Sequence, residues 1–214
     1  MSRIELIATA AFGIESIVAR ELADLGYHEQ RVEDGRVTFW GDELAICRCN
    51  LWLRSADRLL VKVGGFPAYD FEALFQQVMA LPWAQWLTAD AKFPVSGKSV
   101  RSKLHNEPSI QGVTKKAIVE SLKKTYQRHW FNEDGPEFPI EVAILKDWVT
   151  LSIDTSGAGL HKRGYRPESG AAPLRETTAA ALVLLSFWNK DRPFLDPFCG
   201  SGTIPIEAAM IARD

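Results

Sequence analysis

The string DPFCGSGT, residues 196–203, restricts what this chain can fold into more than any other eight residues. Gly200 and Gly202 allow backbone conformations closed to other residues and let main chain approach a ligand closely. Asp196 stands at the end of an apolar run read as a strand, where a carboxylate can accept bonds from a ligand's ammonium, and Thr203 opens the helix that follows. The turn is neither GxGxxG nor a phosphate loop ending in GK[ST], and a bare GxG is weak evidence by itself. Cys199 reads as a small turn residue before it reads as a nucleophile. The turn also lies eleven residues from Asp214, although a cofactor loop ordinarily opens a domain of roughly 100 to 200 residues.

Upstream, the hydrophobic periodicity alternates between strand and helix. RIELIATA predicts a strand, GIESIVARELADLGY a helix closed by Gly26, RVTFW a strand, DELAICRCNLWLRSA a helix capped by Asp42, and DRLLVKVGGF a strand. This is a small α+β domain over residues 1–66, with Gly64, Gly65 and Pro67 marking its exit. A second domain over 67–156 holds a helix interrupted near Pro82, a short strand in AKFPVSGKSV, a long helix in SIQGVTKKAIVESLKKTYQRHW, and two strands joined at Lys146 and Asp147. Trp83 and Trp86 read as core. Residues 157–172, rich in Gly, Pro and charge, read as a linker. A third domain begins at 173, with Pro173 in the first turn of its helix, and RPFLDP predicts its first strand.

The charge is uneven. The chain carries −2 overall, but residues 92–128 hold nine Lys and Arg against two Asp and Glu, the footprint of a polyanion partner or of a solvated face. The three cysteines form no disulfide framework, which fits a reducing cytoplasm. Cys47 and Cys49 sit two apart on a predicted helix and so point away from each other, and no metal site is expected. No run approaches the roughly 18 apolar residues of a membrane span.

DPFCGSGT resembles the first motif of S-adenosylmethionine-dependent methyltransferases that act on exocyclic amino groups of nucleic-acid bases. FPVSGKSVRSKLHNEPSIQGVTKKAIVESL and LSIDTSGAGLHKRGYRPESGAAPLRETTAAAL are similar to THUMP-containing RNA methyltransferases once catalogued as adenine-specific DNA methylases and related to the bacterial 23S rRNA guanine-N2 methyltransferase. The resemblance implies a mixed α/β and α+β protein with an N-terminal ferredoxin-like domain, a THUMP domain and the start of a Rossmann-like catalytic domain. It implies S-adenosylmethionine held by Asp196, Phe198, Gly200, Gly202 and Thr203, with Thr177 on the helix beside the pocket. It moves Lys98, Arg101, Lys103, Lys115, Lys116, Lys123 and Lys124 from a solvated face towards phosphate contacts, in structured and ribosomal RNA. Lys162, Arg163 and Arg166 either join them or keep a linker soluble. The family's catalytic Asn-Pro-Pro-Tyr, or a close variant, does not occur in these residues, so the resemblance implies a fragment, inactive alone, whose catalytic motif lies beyond Asp214. The competing readings are a free-standing RNA-binding THUMP module and a DNA adenine amino-methyltransferase.

Overall fold

The computed structural model describes residues 3–165 and 174–213. In chain order its elements are β1 (Ile4–Thr9), α1 (Glu15–Asp24), β2 (Gln30–Glu33), β3 (Arg36–Gly41), α2 (Glu43–Trp52), β4 (Arg58–Pro67) and α3 (Phe71–Met79). A 3-10 turn at Trp83–Gln85 leads to β5 (Val95–Val100), α4 (Glu107–Tyr126), β6 (Ile140–Leu145), β7 (Trp148–Asp154), α5 (Glu176–Leu185) and α6 (Thr203–Ile211). They group into two compact units, Met1–Leu60 with Ser156–Asp214, and Val61–Thr155.

In the first unit the strands run in the order β2-β3-β1 and then the start of β4. The apolar positions of β1 and β3 meet in antiparallel register, Leu6 opposite Phe39 and Ala8 opposite Val37, and all four are buried with Val18 and Leu22 of α1. Asp42 caps α2 by accepting the Ala45 N–H at 2.9 Å. The polar strand β2 is absent from the sequence reading. It pairs with β3 across Asp34-Gly35, where Gly35 takes φ +74°, a hairpin signal carried by two residues alone.

In the second unit β4 continues into the order β4-β7-β6-β5. Asn106 caps α4 by accepting the Ser109 N–H at 2.9 Å, with Pro108 in the first turn, and Gln127 ends it in the left-handed region. That helix is the crossover which the parallel pairing of β5 with β6 requires. β6 and β7 form a hairpin about Lys146 and Asp147, both with positive φ. Trp83 is buried and donates its indole N–H to the Val78 carbonyl at 2.7 Å.

Two local expectations change. Gly64 and Gly65 lie inside β4. A Cβ on Gly64 would meet Leu81 Cδ2 at 2.5 Å, and one on Gly65 would meet Trp148 Nε1 at 3.2 Å, so both are glycines of close packing. RPFLDP forms no strand. Residues 193–197 are irregular, and Leu195 is 85 % exposed, because a strand needs a hydrogen-bonded neighbour and none lies beside it among the described residues. Pro173 lies outside the described residues.

Candidate functional site

The glycine turn belongs to the first unit. Gly200 and Gly202 have φ of +53° and +77°, in the left-handed region where a side chain is strained. A Cβ on Gly200 would meet nothing within 4 Å, and one on Gly202 only Ile206 Cδ1 at 3.8 Å. The glycines are therefore set by backbone conformation and not by close packing. The Gly202 N–H closes the turn on the Cys199 carbonyl at 2.8 Å, and Gly202 begins α6 in the left-handed conformation. Asp196 Oδ1 accepts its neighbour's Phe198 N–H at 3.1 Å and caps no helix, while the Phe198 ring is 93 % exposed. Thr203 is buried, with its hydroxyl 3.1 Å from that of Ser201. The turn thus sets a partly exposed carboxylate at Asp196 and a helix N-terminus at Gly202 six residues apart in sequence, groups complementary to an ammonium and to a carboxylate.

Thr177 lies on α5, which packs against α6. Its buried hydroxyl donates to Asp57 Oδ1 at 2.7 Å. Asp57 also accepts the Leu160 N–H at 2.9 Å through its carbonyl. This anchors the stretch read as a linker, and its described part, 157–165, is held at further points. Arg58 donates to the Gly157 carbonyl at 3.0 Å, and Arg163 donates to the Arg54 carbonyl. Lys162 is exposed. Arg163 points inward, its side chain 14 % exposed and its Nη1 3.1 Å from Glu207 Oε2, an ion pair without a directed hydrogen bond. The Tyr165 hydroxyl donates to Glu207 Oε1 at 2.7 Å. Burial raises the Glu207 carboxyl above its ordinary value, against the pull of Tyr165 and Arg163, and burial also pushes the Tyr165 hydroxyl up. Arg166 lies outside the described residues.

The basic residues of the second unit do not form one face. Gly97 on β5 packs against Gln111 of α4, and side chains alternate along a strand. Lys98 therefore leaves the sheet on the side opposite the helix. Arg101 and Lys103 are exposed on the loop after β5, and Lys103 Nζ lies 4.9 Å above the Tyr69 ring. On α4, Lys115 pairs with Glu133 at 2.8 Å and lies over Phe93, and Lys123 pairs with Glu120 at 2.8 Å. Lys116 lies over Phe75, and Lys124 reaches Met79 Sδ at 3.6 Å. No group of His, Cys, Asp and Glu that could hold a metal occurs among the described residues, and no described helix is long and apolar enough to cross a membrane.

Comparison with known proteins divides the chain in sequence order. Residues 5–60 match the RlmL ferredoxin-like domain, 68–154 the THUMP domain, and 163–214 the RMKL-like methyltransferase domain. A Bacillus subtilis (strain 168) protein named "Putative RNA methyltransferase YpsC" is 53 % identical over 216 residues, covering 100 % of this chain and 56 % of its own length. A solved structure from Listeria monocytogenes str. 4b F2365, titled as a predicted N6-adenine-specific DNA methylase, is 57 % identical with a TM-score of 0.96, over 99 % of this chain and 56 % of that one. Another, SMU.472, titled "a putative methyltransferase complexed with SAH", is 54 % identical with a TM-score of 0.94 over the same shares. The chain thus spans about half the length of the relatives it matches.

Proposed function

We propose, for a chain that carries an RlmL ferredoxin-like domain, a THUMP domain and the first part of an RMKL-like methyltransferase domain, that it is the RNA-recognising and cofactor-cradling part of an S-adenosylmethionine-dependent RNA methyltransferase. Its target is the exocyclic amino group of a guanine in 23S ribosomal RNA. The observation that carries this reading is the DPFCGSGT turn, with its two left-handed glycines, in one chain with a THUMP domain. The SAH bound to SMU.472 supports the cofactor.

When bound, the cofactor supplies a sulfonium methyl group. Asp196 would accept from its ammonium, Gly200 and Gly202 would let the backbone approach it, and the N-terminus of α6 would complement its carboxylate. The amino group it methylates is a weak nucleophile, its lone pair delocalised into the ring, so alignment carries most of the work. A paired base cannot reach such a pocket and must be unpaired or flipped. The exposed Lys98, Arg101, Lys103, Lys116, Lys124 and Lys162 hold phosphates and fix the register. The chain itself contains no Asn-Pro-Pro-Tyr.

The test is to map base methylation in 23S rRNA by mass spectrometry in a strain lacking the gene, complemented with the wild-type gene or with its Gly200→Val variant. One methylguanine should vanish in the deletion, return with the wild type, and stay absent with the variant. An unchanged rRNA methylation map removes the ribosomal assignment. The name of the Listeria monocytogenes relative favours a second reading, DNA adenine methylation. The THUMP domain ranks it below RNA, and loss of a methyladenine from genomic DNA in the same deletion would reverse that order.

A further inference from the structure

The sheet of the second unit has one face packed against helices, where Gly97 meets Gln111 of α4 and Gly64 meets Leu81. Its other face is open at one end. Val100 of β5 lies opposite Leu145 of β6, and Leu145 lies opposite Trp148 of β7. This makes an in-register row of three apolar side chains that are 53 %, 48 % and 50 % exposed. The indole rests against β4 at Gly65, where a Cβ would come within 3.2 Å of Nε1, so the strand backs it. Tyr69, 56 % exposed, stands at the same end because the Ala68 N–H donates to the Asp147 carbonyl at 2.9 Å.

Cations surround this row. Lys98 shares its face, Arg101 and Lys103 follow it, and Lys146 occupies the hairpin between Leu145 and Trp148. Among the described residues none of the four is paired with a carboxylate. The one acid in these two segments, Asp147, has Oδ1 engaged by the Lys103 N–H at 2.7 Å. An apolar strip one side chain wide is too small for a stable protein interface, which takes about 1,200 Å² or more of buried surface. Its width suits a stacked base, and its rim suits phosphates.

We infer that the open end of this sheet, Trp148 with Val100, Leu145 and Tyr69, is a stacking platform for an unpaired RNA nucleotide, with Lys98, Arg101, Lys103 and Lys146 holding its flanking phosphates. This rests on the RNA reading above and adds to it a single-stranded element bound away from the glycine turn. The test measures binding of the chain to a short single-stranded oligoadenylate and to a blunt RNA duplex. Trp148→Ala should weaken oligoadenylate binding roughly 5- to 160-fold and leave the duplex unaffected, because its bases are already stacked. Trp148→Phe should retain most of the affinity, and melting curves check that both variants fold. Oligoadenylate binding unmoved in Trp148→Ala, while duplex binding persists, overturns the platform and spares the RNA reading. Failure of the wild type to bind either RNA overturns both. A wild-type dimer by sedimentation that Trp148→Ala dissociates, without loss of oligoadenylate, assigns the face to a second copy and also overturns it.

Discussion

A carboxylic acid removed from water charges only at a cost, and Glu21 and Glu207 both meet that condition. Glu21 accepts the backbone N–H groups of Arg54 and Ser55 at 2.8 and 3.0 Å and the Ser55 hydroxyl, yet burial still raises its carboxyl, as it does that of Glu207. An acid raised in the native state binds its proton more tightly there than in the unfolded chain. Its contribution is therefore greatest at low pH and declines as pH climbs from the ordinary value of 4.5 towards the raised one. Glu207→Gln keeps the shape and never charges. The melting temperature of the wild type minus that of the variant should fall between pH 4 and pH 7 in thermal scans. A difference that grows instead would mean that Arg163 dominates the site and holds the carboxyl down. The thiols give a second residue-scale prediction. Cys49 is buried and its thiol is pushed up to about 12, whereas Cys47 and Cys199 are exposed. Iodoacetamide at pH 8 should add two groups to the native protein and three under denaturant, read by intact mass, with Cys49 the protected site.

On the elements, charge counted along the sequence and charge presented in space part company. Lys115 and Lys123 already face Glu133 and Glu120, and Lys123 and Lys124 occupy the last turn of α4, where cations also complement the helix dipole. Under the proposed function, Lys116→Gln with Lys124→Gln should flatten the salt dependence of RNA binding by roughly 0.7 to 0.9 in log–log slope for each phosphate no longer neutralised. Lys115→Gln with Lys123→Gln should change it less. A filter-binding titration over a salt series reads both, and equal losses would show that the ion pairs open on binding. The glycine turn was legible in the sequence because its meaning is local, two residues with forced backbone angles and a helix start at Thr203. The outline of α1, α2, α4 and the Lys146–Asp147 hairpin was legible from periodicity, caps and turn chemistry. The inward turn of Arg163 was not, because its partner Glu207 lies 44 residues on and no local pattern joins them. Nor was the opposite placement of Lys98 and α4, which depends on strand parity fixed by the packing of Gly97 on Gln111. The strand β2 was missed although Asp34-Gly35 announced its hairpin, since Gln30–Glu33 is polar and carries no apolar period.

At the scale of the molecule, the first unit is assembled from two separated stretches of chain. Asp57 holds Thr177, Asn50 accepts from Ser156 at 2.8 Å, Arg20 donates to the Leu184 carbonyl at 2.7 Å, and Arg54 donates to the Met210 carbonyl of α6 while its own carbonyl accepts from Arg163. These ties predict that α5 and α6 open together with α1 and α2. In native-state hydrogen exchange over a denaturant series, amides of Ala179–Val183 and of Ala208 should converge on the same opening free energy as those of Val18 and Leu22. Separate isotherms would show that the two stretches unfold independently. The discontinuity has a further consequence in time. A ribosome that has released Leu60 has still to make the 95 residues Val61–Thr155 before Ser156 appears, and at 5–20 residues per second this takes roughly 5 to 20 seconds. The second unit is complete within that interval. For as long as translation lasts, α1, α2 and the segment after them wait with their later partners unwritten, so a pause near residue 155 would prolong their exposure to chaperones and to neighbouring nascent chains.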